Sequence, residues 1–116
     1  MSNDPAPLNP GLFKIHRIFF IAIVAFAAIM ALLGISSAIR GKEGAGAGLI
    51  GIGLSPLAVA HWYAAKGARI GATYGRTISR VIGSIWLIGI PVGTALGIYT
   101  WSQTGDDNWV SGSDAE

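Results

Sequence analysis

Apolar and polar positions do not alternate along this chain; they are sorted into long blocks. Ile18–Ile39 runs for 22 residues without a charge, IFFIAIVAFAAIMALLGISSAI. As a helix it would reach about 33 Å, enough for a hydrocarbon core of about 30 Å. A second uncharged block, Gly44–Ala65, follows the polar turn Arg40-Gly41-Lys42-Glu43. Its first ten residues hold five glycines, each costing about 1 kcal/mol against alanine in water. In lipid the alternative is unpaired backbone, so a helix is still expected, kinked where the Pro56 ring displaces the Ile52 carbonyl. The third block, Val81–Gly105, is 25 residues long and carries Pro91 within Gly89-Ile90-Pro91-Val92-Gly93. One kinked span is expected there. The alternative is a break at Pro91 into two short helices.

The pattern therefore predicts an all-α membrane protein, a small transmembrane helical bundle of three spans at about 18–39, 44–65 and 81–105. With the alternative break it has four helices. Residues 1–12, rich in proline and without periodicity, read as a disordered tail, and 106–116 as an acidic disordered tail. Between the second and third blocks, 66–80 forms a basic connection. A secretory signal ending near Ser36-Ser37-Ala38 competes for the first block, but its apolar core of about 18 residues exceeds the usual 7–15.

Composition agrees with this division. Of 116 residues, 52% are hydrophobic and 12% charged, half the charge of an ordinary soluble domain. The absence of cysteine excludes disulfides, thiolate metal sites and S-palmitoylation. The eight Lys and Arg mark loop sidedness rather than a nucleic-acid partner. Lys14, Arg17, Lys66, Arg69, Arg76 and Arg80 share one side of a three-span protein, against Arg40 and Lys42 on the other. Six against two predicts a cytoplasmic N-terminus, with the C-terminus outside. A split third block would return the tail to the cytoplasm.

On a helix Lys66, Arg69, Arg76 and Arg80 fall within about 80° of arc. They form either a stripe facing lipid headgroups or a solvated positive loop. Small residues recur every fourth position at Gly67, Gly71, Gly75, Ser79 and Gly83, then at Gly89, Gly93 and Gly97. Ala60, Ala64, Ala68 and Ala72 form a second ladder, and Gly44–Gly48 adds a pair. In lipid such residues let backbones approach closely. They serve either a partner surface or the protein's own helix packing.

Catalytic chemistry is not expected. No Asp, Glu, Lys or Arg lies inside a span, which argues against an ion-coupled transporter. HExxH, GxSxG and P-loop motifs are missing. Gly46-Ala47-Gly48-Leu49-Ile50-Gly51 matches G-x-G-x-x-G, but inside an apolar segment it is no nucleotide fingerprint. His16 and His61 could approach each other and hold haem or metal. The preferred reading makes them interfacial residues beside aromatics, with no cofactor and no metal. His61, Trp62 and Tyr63 form one anchor, and Trp86, Tyr99 and Trp101 another.

The stretch from Gly75 to Trp101, with GRTISR (75–80) and PVGTALGIYTW (91–101), resembles a pattern of small bacterial multi-span integral membrane proteins. Gly75, Arg76, Arg80, Pro91, Gly93, Thr94, Leu96, Gly97, Ile98, Tyr99 and Trp101 carry that resemblance. It implies a compact helical bundle, often of four helices, and names no activity. Three functional expectations follow: an accessory or assembly subunit packed through small-residue ladders onto other transmembrane helices, a homo-oligomeric pore or carrier component, and an anionic-lipid-binding regulator.

Overall fold

The computed structural model describes residues 4–89 and 91–112. The outermost parts of both expected tails, and Ile90, lie outside the described residues. Among those described the chain forms four helices and no strand. They are α1 (Pro10–Ile39), α2 (Ala45–Ile70), α3 (Thr73–Ile88) and α4 (Val92–Gln103). Two of them, α1 and α2, are long and apolar enough to cross a membrane.

Helix α1 begins eight residues before the uncharged run. Pro10 occupies its first turn, where a missing N–H costs nothing and the fixed φ is already helical. The helix packs antiparallel to α2, and the two backbones touch where side chains vanish. A carbon added at Gly34 would come within 2.8 Å of the Gly48 amide nitrogen, and one at Gly51 within 2.9 Å of the Ala27 carbonyl oxygen. Helix α2 continues through Pro56 and ends at Gly71. With φ at +70° Gly71 takes the left-handed conformation, and the Ala72 amide returns to the Gly67 carbonyl at 2.9 Å. Glycine suits that position because an added Cβ would be strained there.

The expected third span is instead a pair of half-length helices. Helix α3 stops at Ile88, Gly89 is extended, and Pro91 starts α4. The two helices run antiparallel: Gly83 faces Thr100, and Gly97 faces the Gly83 carbonyl and Leu87. Sixteen and twelve residues reach about 24 Å and about 18 Å, short of a hydrocarbon core of about 30 Å. The break has a physical reason. Proline cannot donate to the preceding turn, and the residue before it is driven out of the α region.

This hairpin carries the C-terminal segment back to the end of the molecule where α1 begins. The described parts of the two expected tails, residues 4–12 and 106–112, meet there. Amides of Leu8 and Asn9 donate to the carbonyls of Arg69 and Ala68, at 2.9 and 3.0 Å, using the orphan acceptors at the end of α2. The Asn9 side chain, which precedes α1 without capping it, spans two segments. Its Nδ2 donates to the Ala68 carbonyl at 3.1 Å and the Val110 carbonyl at 2.8 Å, while Oδ1 accepts from the Val110 amide at 2.8 Å. Leu12, Ala68 and Trp109 close over this junction as a small buried cluster. Asn9→Ala removes all three side-chain bonds and strands buried backbone groups, at a cost of about 1–3 kcal/mol. Hydrogen exchange should then accelerate at Val110, while α1 residues beyond Phe20 keep their protection.

Burial is inverted relative to a water-soluble bundle. The large side chains of Ile18, Ile21, Phe26, Leu32, Leu49 and Ile52 are exposed, whereas Ala64, Ala68, Ala72, His16, His61, Ser79 and Thr104 are buried. Close packing of small residues, with polar groups inside, is how helices associate when the surroundings are as apolar as their surfaces.

Candidate functional site

Where α1, α2 and α3 meet, three polar side chains form a chain. His16 Nδ1 lies 3.0 Å from His61 Nδ1, and His16 Nε2 lies 2.9 Å from Ser79 Oγ. His16 and Ser79 are 0% exposed and His61 1%. Phe19 stacks on the His61 ring with centroids 5.4 Å apart, and Trp86 lies over His16 at 5.9 Å. Each residue is delivered by helical periodicity. His16 and Phe19, three apart, share the inner face of α1, and Ser79 and Trp86, seven apart, share one face of α3. The sequence-based expectation of interfacial histidines is corrected: His61 turns inward while Trp62 and Tyr63 remain outside. Trp86, expected as an anchor, covers the histidines instead.

Both nitrogens of His16 are therefore engaged. One imidazole donates through Nδ1 and the other accepts, and Ser79 completes the chain as donor or acceptor according to the tautomer. The chain can hold or relay a proton between three groups. Among the described residues no group of three or more His, Cys, Asp or Glu side chains converges.

The small-residue ladder is spent inside the molecule. Gly67 and Gly75 face one another between α2 and α3, and a carbon at Gly67 would reach the Gly75 amide nitrogen at 2.7 Å. Gly71 is covered by residues 110–112, and Ser79 serves His16. Carbons at Gly83, Gly93 and Gly97 would meet Thr100, the Trp86 carbonyl and the Gly83 carbonyl at 3.1, 2.8 and 2.7 Å. A carbon at Gly89 would meet the Trp86 carbonyl at 3.4 Å, ordinary contact. Of the two readings of this ladder, packing of the protein's own helices describes these contacts.

The basic stripe divides. Arg76 and Arg80 turn toward the end of α4, where Arg76 Nε donates to the Thr104 carbonyl at 2.7 Å and Arg80 Nη2 donates to it at 3.0 Å. Cations there complement the negative end of that helix. Arg76 also pairs with Asp106. Lys66 and Arg69, on α2, face the other way, toward α1, and Arg17 joins them in a groove of about 710 Å³. The spacing on an unbroken helix could not reveal this division, because the Gly71 turn separates the two pairs.

The hydrogen bond from Arg76, and then its charge, hold the Asp106 carboxyl below the ordinary carboxylate range. A lowered pKa in the folded state stabilises it above the unfolded value of about 3.9 and loses that contribution as pH falls through the lowered value. The carboxylate is exposed, so the effect on stability is small. In Arg76→Gln the Asp106 carboxyl should titrate higher, closer to the ordinary value, with Arg80 still lowering it, read by carboxyl carbon NMR.

No protein-family model matches the chain, and no curated protein or solved structure matches it.

Proposed function

We propose that this chain is a multi-pass integral protein of a bacterial cell membrane, with a cytoplasmic N-terminus, and that it acts as a non-catalytic accessory or assembly subunit. Helices α1 and α2 cross the bilayer in this reading, and the α3–α4 hairpin enters from the side where both termini lie. All six Lys and Arg outside the Arg40–Lys42 turn then face the cytoplasm.

The observation that supports a subunit role is the bare tip of that hairpin. Ile88 is 82% and Val92 67% exposed, and Gly89 between them is exposed and non-helical. Thr94 Oγ lies 2.7 Å from the Gly89 carbonyl and 3.1 Å from the Leu87 carbonyl, so part of the broken backbone is served from within. Irregular backbone at membrane depth is otherwise tolerated only against protein or beside a water-filled cavity. A neighbouring transmembrane helix over the tip meets that requirement. The glycines from Gly67 to Gly83, with Gly93 and Gly97, are occupied internally, and in this reading the tip that holds Gly89 is the docking surface.

The lack of cysteine makes the test direct. Ile88→Cys in native membranes, carrying a maleimide-linked photoactivatable diazirine that needs no thiol on the partner, should crosslink on illumination to a different polypeptide, while Leu32→Cys on the lipid-facing side of α1 should not. Crosslinking to a second copy would replace the subunit reading with the homo-oligomeric one. An uncrosslinked tip, in a protein that leaves the membrane as a monomer in mild detergent, would overturn both.

A further inference from the structure

The groove between α1 and α2 brings together three cations from two helices, and nothing in the chain's internal packing uses them all. Arg17 lies over the Phe13 ring at 5.8 Å, and Lys66 lies over the Trp62 ring at 5.4 Å. Arg69 pairs with Asp4 at 2.9 Å, and Asp4 is the only carboxylate lining the groove among the described residues. The lining therefore carries a net charge of +2, from three cations against one acid. Contacts with ring faces hold the Arg17 and Lys66 heads at the wall while leaving their donors available.

The groove is polar at one end only. Arg69 and Lys66 belong to the last two turns of α2, and Arg17 to the second or third turn of α1. Deeper along the same helices the walls become Phe20, Ile21 and Trp62. A basic mouth above an apolar floor has the two-part chemistry of a phospholipid rather than of a soluble anion. Basic pockets between transmembrane helices on the cytoplasmic side suit anionic headgroups.

We propose that this groove binds one anionic phospholipid, its phosphate held by Arg17, Lys66 and Arg69 and an acyl chain lying on Phe20 and Ile21. The proposal rests on the membrane reading of α1 and α2, but not on the subunit role. It replaces the four-residue stripe with a different set, in which Arg17 enters and Arg76 and Arg80 leave. Asp4 competes with the lipid for Arg69, which gives the site an internal gate of one exchangeable ion pair.

The test is native mass spectrometry of the full chain in mild detergent, titrated with phosphatidylglycerol or phosphatidylcholine. One phosphatidylglycerol should remain bound where phosphatidylcholine does not. Each cation contributes about fivefold at an anionic surface, so Arg17→Gln, Lys66→Gln and Arg69→Gln together should weaken retention on the order of a hundredfold. Arg40→Gln with Lys42→Gln, at the opposite end, should leave it unchanged. Because the three groove substitutions are on exposed or half-buried heads, the fold should survive, checked by helical circular dichroism. Equal retention by the folded triple variant would overturn the proposal. So would displacement of the lipid by millimolar inorganic phosphate, which would make the site one for a free anion. The subunit reading fails on crosslinking at Ile88, and this one on lipid retention, so the two can fail separately.

Discussion

Gly67→Leu is expected to destabilise the fold by about 3 kcal/mol or more, at the upper end of overpacking costs. Gly67 sits against Gly75, where the last turns of α2 meet the first turn of α3. A carbon on Gly67 would lie 2.7 Å from the Gly75 amide nitrogen and 3.2 Å from the Tyr74 ring. The Tyr74 ring can swing aside. The backbone of Gly75 cannot move without dragging α3 from the three-helix junction, so the His16–Ser79 contact is lost with it. Gly46→Ala and Gly53→Ala provide the contrast, since a carbon at either position meets nothing within 4 Å. Those substitutions should be neutral or stabilising by up to about 1 kcal/mol through helix propensity alone. Thermal unfolding in a fixed detergent reads all three. Equal effects at Gly67 and Gly46 would mean that close backbone approach does not hold α3 in place.

The second large effect is expected at the buried histidines. His61→Phe removes the partner of His16 Nδ1 and leaves a buried polar nitrogen unpaired, and His16→Phe strands both His61 and Ser79. Each loss should cost about 1–3 kcal/mol, because an unsatisfied buried group suffers its whole desolvation penalty. Replacing His16 and His61 together, with Ser79→Ala, removes the stranded groups as well. The triple variant should therefore cost clearly less than the sum of the single ones, a coupling of about 0.5–3 kcal/mol for groups in direct contact. Strict additivity would show that the three side chains do not act as a network.

Both effects concern features the sequence makes visible only in part. The two long helices are legible because 22 uncharged residues leave few alternatives to a helix in lipid or in a packed core. The glycine and alanine ladders are legible as packing surfaces, but a four-residue interval cannot tell a partner's helix from the chain's own. Pro91 was equally ambiguous: in an apolar run proline kinks one helix or separates two, and only the contacts from Gly83 to Thr100 and from Leu87 to Thr94 select the hairpin. The histidine pair depends on residues 45 positions apart, and its third member, Ser79, had the signature of a small packing residue. Least legible were the termini. Proline-rich and acidic composition reads as disorder, yet one side chain, Asn9, joins residues 101 positions apart and orders residues from both ends. Local composition carries no record of such a bridge.

The Arg76 and Arg80 contacts follow the same lesson. On one continuous helix they belong with Lys66 and Arg69, but the left-handed Gly71 reverses the chain between the pairs. Arg76 and Arg80 then reach the carbonyl end of α4, and the other two reach α1.

In the proposed topology the last apolar block enters the membrane and returns instead of crossing. That topology is tested most directly by sidedness of two single cysteines, Lys42→Cys in the α1–α2 turn and Asp107→Cys after α4, in sealed membrane vesicles. A membrane-impermeant maleimide should label the two positions from opposite faces. Labelling of both from the same face would restore a third full span and contradict the hairpin.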